Sequence, residues 1–196
     1  SALINKKTSK AKAYMQRKLL AVTFFIIILE TSIAQHRLPA IVRDSMILQR
    51  DVKLKIWGWA SKGEKVRIKF NGKTANTTTN QEGKWIAVLP PMKAGGPYNL
   101  EITAKNKIVL KEILLGDVWF CSGQSNMVHQ MALHNITYAK DIEQANYPAI
   151  RHFWIPTATS LSGPKPDLPT GYWKSANAEN VNQFSAVAYF FARKIY

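Results

Sequence analysis

The sequence predicts a mixed fold, an N-terminal β-sandwich followed by the opening of an α/β layer. Three observations carry that reading. Between Leu38 and Lys111, short alternating apolar segments are separated by turn residues at roughly 8–12-residue intervals. Ile113 to Phe120 is an apolar run that stops abruptly in the small and polar residues Ser122 to Asn126. Residues 180–195 then carry apolar side chains at helical spacing. With 46% hydrophobic and 11% aromatic residues among 196, these elements have enough apolar surface for a packed core.

The chain begins at Ser1 rather than at methionine and is read as the N-terminal part of a longer protein. Met15-Gln16-Arg17-Lys18, the apolar stretch Leu19 to Leu29, and Thr31-Ser32-Ile33-Ala34 have the three parts of a secretory signal peptide. A signal is therefore expected over 15–34, with cleavage after Ala34 and residues 1–14 as an upstream extension. The apolar stretch is shorter than the ~20 residues of a membrane span, so no stable membrane insertion is expected after cleavage. The expected location is secreted or periplasmic.

Net charge is +15, but Lys6, Lys7, Lys10, Lys12, Arg17 and Lys18 lie in the leader region. From Gln35 onward there are 21 basic and 11 acidic residues, leaving +10. Those charges are scattered along strand-like segments, so they imply a solvated basic surface and no nucleic-acid partner. Cys121 is the single cysteine, which excludes an intramolecular disulfide; in the apolar end of a strand it is expected to be a small buried thiol.

In the sandwich region, residues 35–112, Val52, Leu54, Ile56 and Gly58 alternate with Lys53, Lys55, Trp57 and Trp59. Val66, Ile68 and Phe70 alternate likewise, and Asn71-Gly72 then signals a type I′ hairpin because both central residues need positive φ. Thr74 to Thr79 is the return strand, Gln81-Glu82-Gly83 a turn, and Lys84 to Leu89 the next strand. Pro90-Pro91 and Ala94-Gly95-Gly96-Pro97 are expected to delay regular pairing until Tyr98. Trp57, Trp59, Trp85 and Tyr98 are either core residues or a sugar-stacking platform.

Residues 113–196 are expected to form the second domain. Ile113 to Phe120 reads as a buried strand and 138–145 as a helix. Ile150 to Trp154 reads as a strand, Pro156 to Thr170 as a proline-rich loop flanking substrate access or a passive connection, and 180–195 as a helix. Phe184, Val187, Ala188, Phe191, Ala192 and Ile195 share one apolar face of that last helix, expected to be core. Strand, helix, strand, helix in this order implies a parallel sheet, whose carboxyl edge is where ligands bind.

The turn after Phe120 carries a specific block. Gly116-Asp117-Val118-Trp119 followed by Cys121-Ser122-Gly123-Gln124-Ser125-Asn126-Met127 resembles the nucleophile block of the sialate O-acetylesterase family, within the SGNH group of esterases. Residues 184–191 resemble a further segment of that family, and the G-x-S-x-G elbow of ordinary hydrolases is absent. The resemblance implies an SGNH-type three-layer α/β/α domain, here incomplete. It also implies Ser125 as nucleophile, with Gln124 and Asn126 shaping the loop beside the oxyanion and substrate. Asp117 matches the block too and equally suits tying down the turn.

A serine nucleophile needs a base, and SGNH esterases draw it from a later D-x-x-H pair, which occurs nowhere in this sequence. His36, His129, His134 and His152 lack such spacing, so residues 1–196 alone are expected to be inactive. No metal-ligand cluster or cofactor motif is present, and a serine esterase needs none. The function so implied is removal of acetyl groups from an O-acetylated carbohydrate. Acetylxylan or another plant glycan is an alternative substrate, and a non-catalytic glycan-binding protein is the alternative from another class.

Overall fold

Alternation of burial shapes much of the β region of the computed structural model, which describes residues 37–196. The signal expected over 15–34 lies outside those residues. Seven strands precede the serine: β1 Ile47–Gln49, β2 Leu54–Trp59, β3 Lys65–Phe70, β4 Lys73–Thr78, β5 Lys84–Leu89, β6 Gly95–Thr103 and β7 Lys107–Gly116. They form a five-stranded mixed sheet in the order β1-β7-β6-β3-β4 and a separate antiparallel pair β2-β5. Leu54 and Ile56 of β2, Val66, Ile68 and Phe70 of β3, and Trp85, Ala87 and Leu89 of β5 point into one shared core. Lysines and Arg67 take alternate, exposed positions, and so do the apolar side chains of Trp57, Ile86 and Val88.

Local chemistry explains the joints. Asn71 and Gly72 sit at φ 43° and 72°, as the hairpin between β3 and β4 requires. Gly58 is glycine for space: a Cβ there would lie 2.6 Å from the Arg37 carbonyl oxygen and 2.7 Å from the Trp85 ring. Pairing in β6 resumes at Gly95, earlier than expected, with register shifts between Gly95 and Tyr98 and between Tyr98 and Leu100. Gly96 makes this possible, since it adopts φ +122° and lies where a Cβ would meet the Ile113 carbonyl oxygen at 2.7 Å.

Strand β7 changes its inward face at a bulge. Tyr98 pairs with Ile113 and Leu100 with Leu110, so two steps on β6 oppose three on β7. Glu112 takes up the extra residue at φ 58°, and Leu110 and Ile113 both face the core. Arg151 donates to the Ser45 carbonyl at 2.8 Å and to that of Glu112, joining the later half of the chain to two left-handed backbone positions.

The aromatic platform is not assembled. Trp85 is only 1% exposed, and the Trp59 ring is covered by the Arg37 guanidinium, 3.7 Å from its centroid. Tyr98 packs edge-on against Phe70. Core filling accounts for Trp85, and Trp57 lies on the outer face of β2 opposite the exposed Ile86 of β5.

Several expectations for the second half need correction. The strand foreseen over 113–120 ends at Gly116, and Val118, Trp119 and Phe120 are 45%, 60% and 84% exposed. Cys121 is exposed for the same reason. The side chains of Gln49 and Arg50, at the end of β1, hold Val118 N–H and Asp117, which turns the backbone out of the sheet there. Beyond it lie helices α1 Ser125–Val128 and α2 Ala139–Glu143, strands β8 Asn146–Phe153 and β9 Trp173–Asn177, and helix α3 Ala186–Ile195. Strands β8 and β9 pair antiparallel, so the parallel pair among the described strands is β1–β7.

Helix α3 starts at Ala186 because Ser185 caps it, its hydroxyl accepting from Ala188 N–H. Its buried side is Ala186 and Tyr189, whereas Val187, Phe191 and Ile195 are exposed, with Phe191 meeting Trp119 edge-on at 5.1 Å. Of the face expected to be core, Phe184 and Ala192 pack in the second core, whereas Tyr189 takes the central place expected of Phe191. Tyr189 joins Met131, Ile150, Ala176, Val181 and Phe184 in a second core. Among the described residues no helix is long and apolar enough to cross a membrane.

The contacts at Gly58 make a specific prediction. Gly58→Ala forces the Trp85 ring or the 37–38 backbone to move and should destabilise the chain by ~1–3 kcal/mol, as overpacking does. A chemical denaturation curve indistinguishable from wild type would contradict that packing.

Candidate functional site around Ser125

Ser125 is the first residue of α1, and its side chain is exposed. The turn is closed by Met127 N–H and Val128 N–H donating to the Gln124 carbonyl at 3.0 and 3.3 Å, and by His129 N–H donating to the Ser125 carbonyl at 3.1 Å. Gly123 lies against Met127, where a Cβ would sit 3.1 Å from the Met127 Cβ. Gln124, Ser125 and Asn126 are thus presented together on one exposed turn.

The turn is anchored from both sides. Upstream, Arg50 grips Asp117 with two hydrogen bonds, Nε to Oδ1 at 2.9 Å and a terminal nitrogen to Oδ2 at 3.2 Å. Those bonds hold the Asp117 carboxyl below its ordinary value, so it stays ionised and acts as an anchor for the backbone. Downstream, Gln130 bridges Ser185, Met131 N–H donates to the Phe184 carbonyl and Ala186 N–H donates to that of His129, both at 2.9 Å. Met131 is fully buried behind this pairing.

No side chain among the described residues hydrogen-bonds to the Ser125 hydroxyl. His129 instead pairs with His134, Nδ1 to Nε2 at 3.3 Å. His152 is stacked against Phe184 at 4.6 Å and its burial, aided by Lys174, pushes its pKa down to about 4. The proline-rich loop is held by the N-terminal segment: Asp167 accepts from Arg37 and from Ala40 N–H, and Arg43 donates to the Gly171 carbonyl. Its polar contacts outside itself therefore lie with residues 37–43 rather than with the serine turn. Among the described residues no group of three or more His, Cys, Asp or Glu is arranged to hold a metal ion.

No family model matches the chain. Sialate O-acetylesterase of Rattus norvegicus is 30% identical over 181 residues, covering 82% of this chain, and that of Homo sapiens is 29% identical over 181 residues with the same coverage. The crystal structure of a carbohydrate acetylesterase from Xanthomonas citri superposes with a TM-score of 0.78 at 34% identity, again over 82% of the chain. The chain belongs to the sialate O-acetylesterase family. It spans about a third of the length of these curated relatives and 37% of the Xanthomonas citri chain.

Within this sialate O-acetylesterase family member, Gln124, Ser125 and Asn126, the residues singled out from the sequence, lie on one exposed turn. Sequence reasoning missed Arg50, whose role depends on β1 lying beside β7, and the His129–His134 contact. Neither leaves a local sequence signal.

His152 supplies a pH test. Its folded pKa of about 4 lies below the ordinary 6.5, so the unfolded chain takes up the proton first. The contribution is complete above pH ~6.5 and is lost as pH falls toward ~4, by about 3 kcal/mol at most. The stability difference between wild type and His152→Leu should therefore shrink or reverse in favour of the variant on acidification; parallel pH profiles would refute it.

Proposed function

We propose that this protein contributes the nucleophile-bearing part of an exported carbohydrate O-acetylesterase, with Ser125 as nucleophile. The observation that carries the reading is the 34% identity and TM-score of 0.78 to a carbohydrate acetylesterase, combined with an exposed serine heading a fixed turn. In this reading residues 35–112 are a β-sandwich domain, and an SGNH-type α/β/α domain begins near residue 113. Sialate esters are the substrate suggested by the named relatives.

The Ser125 hydroxyl would attack the acetyl carbonyl while a base takes its proton, giving a tetrahedral oxyanion. The Ser125 N–H, at the head of α1, is placed on the same residue as the attacking oxygen and can donate to that oxyanion. Collapse releases the sugar hydroxyl, which recovers the proton, and leaves an acetyl-serine. Water, activated by the same base, then releases acetate and restores the serine. Gln124 and Asn126 flank the reacting centre and orient the ester.

The base is assigned outside residues 1–196. His129 Nδ1 is engaged by His134, His152 is buried on Phe184, and the sequence holds no D-x-x-H. Hydrolysis of p-nitrophenyl acetate and of an O-acetylated sialic acid by the full-length protein tests the proposal. Ser125→Ala should lower kcat/KM by ~10³-fold or more, and residues 1–196 alone should show no Ser125-dependent turnover. Robust turnover by those residues, abolished in Ser125→Ala, would show that the base lies within them.

A further inference from the structure

We propose that His129 and His134 form a two-histidine site for one divalent transition-metal ion of the imidazole-preferring class, Zn²⁺, Ni²⁺ or Cu²⁺. Their spacing hides this in the sequence. Residues five apart on a continuous α-helix lie about 140° apart around the axis and cannot share a ligand. Here the helix is broken: α1 ends at Val128, Gln130 is extended at φ −84° and ψ 154°, and a separate 3₁₀ turn spans Met131–His134. The break folds the second histidine back onto the first.

The resulting separation, 3.3 Å between His129 Nδ1 and His134 Nε2, is that of two donors on one small ion. Zinc–nitrogen bonds of about 2.0–2.1 Å at a tetrahedral angle place the nitrogens about 3.3 Å apart. In the metal-free protein the same distance is bridged by one ring N–H donating to the other ring. Binding needs both lone pairs, so His129 carries its proton on Nε2 and His134 on Nδ1. For a neutral pair this is a tautomer shift with no net proton release.

The two positions are fixed before any ion arrives. The His129 carbonyl accepts from Ala186 N–H, Gln130 bridges Ser185, and the His134 carbonyl accepts from Tyr138 N–H at 2.8 Å. The His134 ring sits edge-on to Tyr138, which packs in turn on Phe190. Meanwhile His129 is exposed, leaving room for water at the remaining coordination positions. With two imidazoles and no carboxylate cluster, the donor set suits the imidazole-preferring ions and not Mg²⁺ or Ca²⁺.

The test is calorimetric titration of the tag-free chain with ZnCl₂ in a non-coordinating buffer, with MgCl₂ in a parallel titration. One equivalent of Zn²⁺ should bind, and His129→Gln and His134→Gln should each weaken it by at least about tenfold. The double variant should be no worse than the weaker single, while His36→Gln and His152→Leu should bind as wild type. In a mutation-independent arm, Zn²⁺ should shift the imidazole ¹⁵N resonances of His129 Nδ1 and His134 Nε2 and leave those of His152 in place. The proposal is overturned by absence of equimolar Zn²⁺ binding, by loss in only one of the two variants, or by ¹⁵N shifts elsewhere. None of these readouts uses esterase activity, so they stand apart from the proposed reaction.

Discussion

The placement of Ser125 depends on the short backbone register between residues 129–131 and 184–186. Two hydrogen bonds, Met131 N–H to the Phe184 carbonyl and Ala186 N–H to the His129 carbonyl, lock the end of α1 to the start of α3. Each such bond contributes ~1 kcal/mol net. Complete burial of the Met131 side chain contributes ~1.5–3 kcal/mol. Pairing and packing are therefore of similar size, and the register needs both. Removing either would leave the serine turn attached to the rest of the molecule through its upstream end.

That upstream end is held by polar contacts. Arg50 and Gln49 reach across from the end of β1 to Asp117 and Val118 N–H, and Arg151 reaches back from β8 to the Ser45 and Glu112 carbonyls. The Arg50–Asp117 pair is exposed, so its effect on global stability is small. Its bidentate geometry is worth more as direction than as energy, because it decides where the chain leaves the sheet. The second attachment has a similar logic. Arg151 satisfies two carbonyls that belong to left-handed residues.

Much of the β region was legible because alternation and turn chemistry agree there. The burial of β2, β3 and β5 follows the apolar positions, and Asn71-Gly72 adopts the two positive φ angles its hairpin demands. Legibility failed where a residue's wish to be buried does not say against what. Val118, Trp119 and Phe120 read as strand, yet a sheet needs a neighbour to pair with, and Asp117 is pulled aside by Arg50. On α3 two apolar faces compete, and Tyr189 rather than Phe191 won the core. Of the serine turn, the local motif was readable and its long-range supports were not, since Arg50 and Ser185 lie 75 and 60 residues from Ser125 along the chain.

The parallel pairing of β1 with β7 also orders events in time. Ile47 pairs with Leu114, and Gln49 with Gly116, so a strand near the start of the sheet waits for the last one to exist. Strands β3 and β4 can zip as a local hairpin, but the ladder that completes the sheet requires closing a loop of more than sixty residues first. The residue after Gly116 is Asp117, the one that Arg50 captures. As the chain is synthesised, sheet closure and delivery of the serine segment thus become a single late step, with the grip on Asp117 formed as soon as the ladder is.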